Sequence, residues 1–280
     1  VRIGVTAALT DRSMAAPDLA RAAEERGYDS LYLPEHTHLP VSEARPPALV
    51  GGVYLDDYKR IIDPLVALAA AAAVTDRIRL GTGVLLVAQH DPIVLAKQIA
   101  TLDQLSHGRV VLGMGYGWNR AEAADHGVDF SLRREVAREK VLCMQALWSA
   151  DEAEFHGAHV QLPPSFSWPK PVQRPRVRTL VGAAAGPASF ASIAEYADGW
   201  MPIGGAGVGE ALGALRSAVE AAGRDPGTVE VVPFGTIPDE GKLAHFAALG
   251  CPEVVLRVPS GRPDDMLRVL DDYTRFLVTT

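Results

Sequence analysis

The feature that most restricts how this chain can fold is a regular alternation. Short runs rich in Val, Ile and Leu are followed by Ala-rich segments of helical length, the pattern of parallel strands covered by helices. Eight such pairs are readable. The strands fall at Arg2–Ala8, Ser30–Leu33, Arg79–Leu86, Arg109–Met114, Arg178–Gly182, Gly199–Ile203, Val229–Phe234 and Glu253–Val258. The helices fall at Pro17–Arg26, Pro64–Val74, Pro92–Ser106, Leu132–Ala150, Pro187–Tyr196, Val208–Ala222, Glu240–Leu249 and Pro263–Phe276. Proline opens several of them, which suits a first turn whose N–H has no partner. Gly27, Gly108, Gly199 and Gly250 each stand between a helix and the next strand, where a left-handed cap is easiest without a Cβ. Eight units in 280 residues predict an α/β protein with a single (β/α)8 TIM barrel over residues 1–280. The alternative, an open doubly wound sheet, differs mainly in strand count. Three stretches exceed ordinary connections: Pro34–Asp63, Gly115–Ser131 and Asp151–Val177, the last with a hairpin expected around Glu154–Leu162 and a proline-rich link after it.

Composition excludes several classes of function. The chain has 42 alanines and 26 glycines, a load that favours helices packed closely on strands. A net charge of −7 without a long like-charge run argues against nucleic acid or an anionic membrane as the main partner. The two cysteines, Cys143 and Cys251, make neither a disulfide framework nor a thiolate zinc site. The apolar run Pro64–Val74 is too short to span a bilayer and no basic leader precedes an apolar segment, so a cytoplasmic protein acting on a small molecule is expected.

Barrel chemistry sits at the C-terminal ends of strands, so those positions can be tested against each reaction class. An imine-forming aldolase needs a lysine there, but Lys59, Lys97, Lys140, Lys170 and Lys242 fall in helices or connections. The ends Val181–Ala184, Trp200–Pro202 and Leu256–Val258 offer no metal ligands, and only Glu35 is an obvious carboxylate, so metallohydrolase and glycosidase sites are not expected. What the ends do carry is small. Gly81-Thr82-Gly83-Val84-Leu85 and Gly113-Met114-Gly115-Tyr116-Gly117-Trp118 would let a planar ligand approach the backbone, or would merely relieve crowding inside a barrel. Gly182-Ala183-Ala184-Ala185-Gly186-Pro187 turns through small residues into a helix, exposing N–H groups that could hold a phosphate. Glu35-His36-Thr37-His38 follows the second strand directly, and His36 there could donate or accept a proton near neutral pH. A metal held by His36 and His38 lacks further ligands.

These motifs, in this order, resemble the luciferase-like monooxygenase superfamily, and within it the branch that uses the deazaflavin coenzyme F420. The resemblance is carried by Gly27–His36, Leu80–Leu85, Asp91-Pro92 through Lys97-Gln98, Leu102–Arg109, Gly113–Trp118 and Ala197–Pro202, and becomes diffuse beyond Gly204. It implies a usually dimeric (β/α)8 barrel with a flavin or deazaflavin across the strand ends. It further implies that Glu35 and His36 face the ring, that Gly83 and Val84 form a non-prolyl cis peptide at its face beside Leu85, and that Gly115, Gly117, Trp118 and Asn119 border ring or substrate. Gly182, Ala183, Ala184, Ala185, Gly186 and Pro187 would receive the phosphate arm. The reading drawn from this is a hydride transfer between C5 of F420 and an organic substrate that is flat or hydrophobic, with His36 moving the proton. An FMN-dependent monooxygenase on the same fold is the alternative; a non-catalytic F420 carrier and a phosphate-binding isomerase are further ones.

Overall fold

A computed structural model describes residues 1–43 and 55–277. The expected loop Pro34–Asp63 therefore lies partly outside the described residues. The described residues form eleven strands and ten α-helices, in the order β1 (Arg2–Thr6), α1 (Ala16–Glu25), β2 (Ser30–Leu33), α2 (Leu55–Tyr58), α3 (Pro64–Ala72), β3 (Arg79–Thr82), α4 (Pro92–Leu105), β4 (Val110–Met114), α5 (Arg120–Asp125) and α6 (Arg133–Ser149). There follow β5 (Glu152–His156), β6 (Gln161–Phe166), β7 (Arg178–Val181), α7 (Pro187–Tyr196), β8 (Gly199–Trp200), α8 (Val208–Ala221), β9 (Glu230–Val231), β10 (Phe234–Thr236), α9 (Glu240–Ala248), β11 (Glu253–Arg257) and α10 (Pro263–Tyr273). The helix starts obey the local rules. Asp63 and Asp91 cap α3 and α4, each accepting from backbone N–H groups one turn on and followed by proline.

The closed eight-stranded TIM barrel expected from the sequence is not what forms. Nine strands make one sheet in the order β10-β11-β1-β2-β3-β4-β7-β8-β9, with all neighbours parallel. The sheet curls through 279° and leaves an opening of 9 Å, so it is an incomplete barrel. The cause lies in the segment expected as one strand, Val229–Phe234. It divides into β9 and β10 around Pro233, which has no N–H to give to a ladder. β9 pairs with β8 and β10 with β11, so the two halves become the two edges of the sheet. The isolated bridge Ile203–Phe234 marks the seam.

Side chains fill the interior of this curl. Tyr32, Val111, Leu180, Met201, Val232, Phe234 and Val255 pack there with Val84 against them, and Tyr32 meets Phe234 edge to face at 5.6 Å, a contact contributing about 0.5–1.5 kcal/mol beyond area burial. Several glycines exist for this packing. A Cβ on Gly81 would stand 2.3 Å from the Tyr32 ring, and one on Gly83 would stand 2.3 Å from Phe234. Gly199, expected as a helix cap, instead lies inside β8, where a Cβ would strike the Glu230 carbonyl at 2.6 Å. The N-terminal floor is polar: the fully buried Glu253 accepts from the Ser30 hydroxyl at 2.5 Å and the Tyr32 hydroxyl at 3.2 Å, with Arg178, Arg79 and Arg2 at 3.4, 3.7 and 3.9 Å.

The expected hairpin is present as β5 and β6, antiparallel and separate from the main sheet. Its turn is tied to α6 by the buried Glu139, whose carboxylate accepts from the N–H groups of Ala158, His159 and Val160 at 2.6–2.9 Å. Burial pushes this carboxyl up, but the three backbone donors outweigh it and hold it below the usual range. Among the described residues, no helix is long and apolar enough to cross a membrane.

Candidate functional site

The residues singled out in the sequence follow β2, β3, β4 and β7, four strands adjacent in the sheet and away from both of its edges. The fold therefore brings them to one sector of the C-terminal rim. After β3, the Gly83–Val84 peptide is cis, at the position the resemblance implies. The Val84 side chain occupies the gap between two glycines on neighbouring strand ends: a Cβ on Gly115 would lie 2.4 Å from Val84 Cγ2, and one on Gly182 would lie 2.4 Å from Val84 Cγ1. Leu85 is fully buried, and its backbone donates to Gly113 at 2.8 Å and accepts from Gly115 at 2.9 Å. The rim here is a shallow wall of backbone with one valine wedged into it. Gly117, at φ +75°, carries the chain past this wall toward α5.

Both oxygens of Glu35 are engaged by the protein. Oε2 accepts from the Leu86 N–H at 2.6 Å and Oε1 lies 2.8 Å from His90 Nε2, in a carboxylate only 4% exposed. On the other side of the same segment, Lys140 Nζ donates to the Ala88 and His90 carbonyls, each at 2.6 Å. The stretch following Val84 is thus clamped between a carboxylate and an ammonium. Burial opposes charge on His90, but its hydrogen bond to Glu35 and that carboxylate's charge prevail, and the imidazole is held above its ordinary value. Desolvation holds the Lys140 amine below its own.

His36 is turned away from Glu35. Its Nδ1 lies 2.8 Å from Oε2 of Glu122, which is fully buried on α5, and among the described residues Nε2 carries no protein hydrogen bond. The ring is packed by Tyr58 at 5.1 Å and Trp118 at 5.5 Å between centroids. Burial pushes the Tyr58 phenol well above its ordinary range, so it stays a neutral hydroxyl. Asn119, buried rather than open to a ligand, caps α5: its Oδ1 accepts from the Glu122 N–H at 3.0 Å. Two further contacts extend the docking of α5 onto the loop after β2, with Thr37 Oγ1 2.7 Å from His126 Nε2 and His38 Nε2 3.0 Å from Asp125 Oδ2. His36, Thr37 and His38 are therefore matched one to one by Glu122, His126 and Asp125. No metal-binding cluster occurs among the described residues.

The turn into α7 is built as the small residues suggest. Gly186 is its N-cap and supplies no side-chain bond, while Ala184, Ala185 and Pro187 are exposed. The Ala183 carbonyl is held from inside by Trp200 Nε1 at 2.8 Å. A groove of about 1130 Å³ runs between α7 and α8 and reaches this turn only at Ala185, Gly186 and Pro187; the imidazoles and carboxylates described above are not part of it.

Sequence reasoning missed Glu122, Tyr58 and the clamping of the segment before His90. One signal was present. Asn119-Arg120-Ala121-Glu122 has the spacing of a capping box, which marks a helix start inside the expected loop Gly115–Ser131.

The family model of luciferase-like monooxygenases matches residues 4–237. An uncharacterized protein of Mycobacterium tuberculosis is 45% identical over 265 residues, covering 94% of this chain and 93% of that protein. An F420-dependent glucose-6-phosphate dehydrogenase of Kineococcus radiotolerans is 33% identical over 221 residues, covering 76% of this chain and 60% of that protein. Among solved structures, an F420-dependent secondary alcohol dehydrogenase in complex with an F420-acetone adduct superposes with a TM-score of 0.78 at 18% identity, covering 98% of this chain and 97% of that one.

Proposed function

Because the chain belongs to the luciferase-like monooxygenase family, we propose that it is an oxidoreductase using coenzyme F420, with the ring on the wall formed by Gly83, Val84, Gly115 and Gly182. The observation that carries the reading is the pairing of that wall with the His36 imidazole, whose Nε2 has no hydrogen-bond partner among the described residues. The residues present fit the cofactor. A wall whose only relief is Val84 suits a flat ring, and the α7 start, uncapped and bordered by Ala183, Ala184, Ala185, Gly186 and Pro187, suits a phosphate through its free N–H groups. The deazaflavin, when bound, supplies a carbon centre that carries hydride.

The chain's own residues do the rest. Trp118 and Tyr58 flank His36 and exclude water from it. His36 donates or accepts the proton at Nε2, a role that typically contributes a factor of about 10²–10⁴. Glu35 acts indirectly, through the backbone it holds at Leu86. The substrate is a small organic molecule admitted beside Trp118 and His36. Exposed Ile93, Val94 and Leu105 on α4, with Phe166, Trp168 and Val172 beyond it, support self-association into a homodimer, readable as a doubled mass in light scattering.

Titrating the apoprotein with F420 and with FMN tests the cofactor. Binding of the deazaflavin at micromolar or lower concentration, weakened by Gly182→Val, is expected; tight binding of FMN with none of F420 would replace this reading by the monooxygenase one, which the family's name favours. His36→Ala should leave F420 affinity unchanged and lower turnover by about 10² or more. Turnover within a few-fold of wild type removes His36 from the chemistry.

A further inference from the structure

Glu122 is the least expected side chain in the site: a carboxylate with no solvent exposure, on a helix of only six residues, in a loop between strand and helix. One oxygen, Oε2, is 2.8 Å from His36 Nδ1; the other, Oε1, is buried and has no partner among the described residues. Burying a carboxylate this way is costly unless its one strong partner is fixed. Everything around it fixes that partner. Asn119 caps the turn that carries Glu122, and the flanking pairs Thr37–His126 and His38–Asp125 hold the loop after β2 against the same helix. Tyr58 and Trp118 close on the imidazole from two sides. His36 can therefore neither swing away nor rotate without abandoning Glu122.

We propose that Glu122 is the positioning residue for His36, selecting one imidazole tautomer by accepting a hydrogen bond from Nδ1–H. A carboxylate can only accept, so the proton of the neutral ring resides on Nδ1 and the lone pair lies on Nε2. The resting site thereby accepts a proton at Nε2 before it gives one, which selects for substrates that bear a hydroxyl or N–H able to lose that proton. This rests on the proposed role of His36, but the tautomer itself does not depend on any cofactor. A carboxylate on Nδ1 that leaves Nε2 for the reacting proton is the arrangement that orients catalytic histidines in other sites.

The test is nitrogen NMR of the apoprotein with ¹⁵N-labelled histidine, His36 being assigned by its loss in His36→Gln. Wild type is expected to show one proton-bearing nitrogen, Nδ1, and one lone-pair nitrogen, Nε2. In Glu122→Gln, whose amide can accept or donate, the two signals should move toward a mixed population; Glu122→Ala should do the same without a competing donor. If Glu122→Ala does not fold, the isosteric Gln variant still decides. A wild-type ring protonated on Nε2, or an Nδ1–H state unchanged in a folded variant, overturns the proposal. Failure of the F420 reading would instead appear only in the cofactor titrations, with the tautomer intact.

Discussion

Val84 is wedged between two strand ends that can accept it only because both carry glycine, so introducing a single methyl group opposite it has a calculable effect. In Gly182→Ala the new Cβ would lie 2.4 Å from Val84 Cγ1 and 3.4 Å from the Met114 carbonyl. The second distance is ordinary contact; the first is not. Val84 must move, and overpacking of this kind costs about 1–3 kcal/mol. Val84→Ala alone removes two methyl groups from a half-buried position and costs about 1–2 kcal/mol. In the double variant the nearest atom of residue 84 becomes its Cβ, 3.7 Å from the new methyl, and the clash disappears. The double variant should therefore be less destabilised than the sum of the single ones by at least about 1 kcal/mol, well above the roughly 0.3–0.5 kcal/mol scatter of independent sites. Any gain from restricting the unfolded chain at residue 182 occurs in both arms of the cycle and cancels. Urea denaturation of the four proteins measures the coupling, which in melting temperature is about 2–4 °C for each kcal/mol in a chain near this size. Additive effects would show that Val84 does not fill the Gly182 gap, and the low wall on which the proposed site depends would be lost with it.

The floor of the sheet and the rim make further predictions. Glu253→Ala removes the acceptor at which Ser30, Tyr32 and Arg178 converge, leaving the mostly buried Arg178 guanidinium with Glu230 as its one carboxylate partner among the described residues, and should cost about 3–5 kcal/mol in urea denaturation; a loss under about 1 kcal/mol would mean that water already screens the network. The histidines of the rim should titrate with opposite consequences for stability. His90, raised by Glu35 against the opposing effect of burial, contributes stability that is complete below its unfolded value near 6.5 and is lost as pH rises through its folded value. His126, lowered by burial and by neighbouring His38, opposes folding on acidification, so stability falls as pH drops from about 6.5 toward its folded value. Urea midpoints between pH 5 and 8 should thus gain a rise toward alkaline pH in His90→Gln relative to wild type and lose one in His126→Gln; a parallel shift of either curve at all pH values refutes the assignment.

Periodic burial made most of the fold readable. Ser30–Leu33 and Pro187–Tyr196 have the bounds expected of them, because a strand buried on both faces and a proline-started helix each announce both ends locally. What was not readable depends on partners distant in sequence. Val229–Phe234 has the composition of one strand, and its division into β9 and β10 reflects Pro233 meeting two different neighbours, β8 and β11, that no local pattern identifies. The glycines were legible as a group but not individually: Gly81 and Gly83 yield to Tyr32 and Phe234 inside the barrel, whereas Gly115 and Gly182 receive Val84 at the rim. Glu35 and Glu122 show the same limit most clearly. Both adjoin histidines in the fold, yet Glu35, beside His36 in sequence, binds His90, and Glu122 binds His36 across 86 positions.

The incomplete closure of the sheet and the location of the site follow from the same arrangement. A constellation that moves one proton must be held to within about half an ångström, which requires support from rigid elements. β2, β3, β4 and β7 supply it because each is paired on both sides, so the loops that follow them start from fixed backbone. β9 and β10, of two and three residues, each face the seam and have one ladder partner. The side chains confirm the division. The cross-loop ties of Glu35, His36, Thr37, His38 and Lys140 all join segments that leave or pack behind the central strands, while the loops beside the seam, from Met201 to Gly207 and from Ile237 to Asp239, carry no histidine. On the proposed reading, the proton transfer therefore belongs to the sector of the rim where the sheet is continuous, and the seam contributes none of the side chains that hold it.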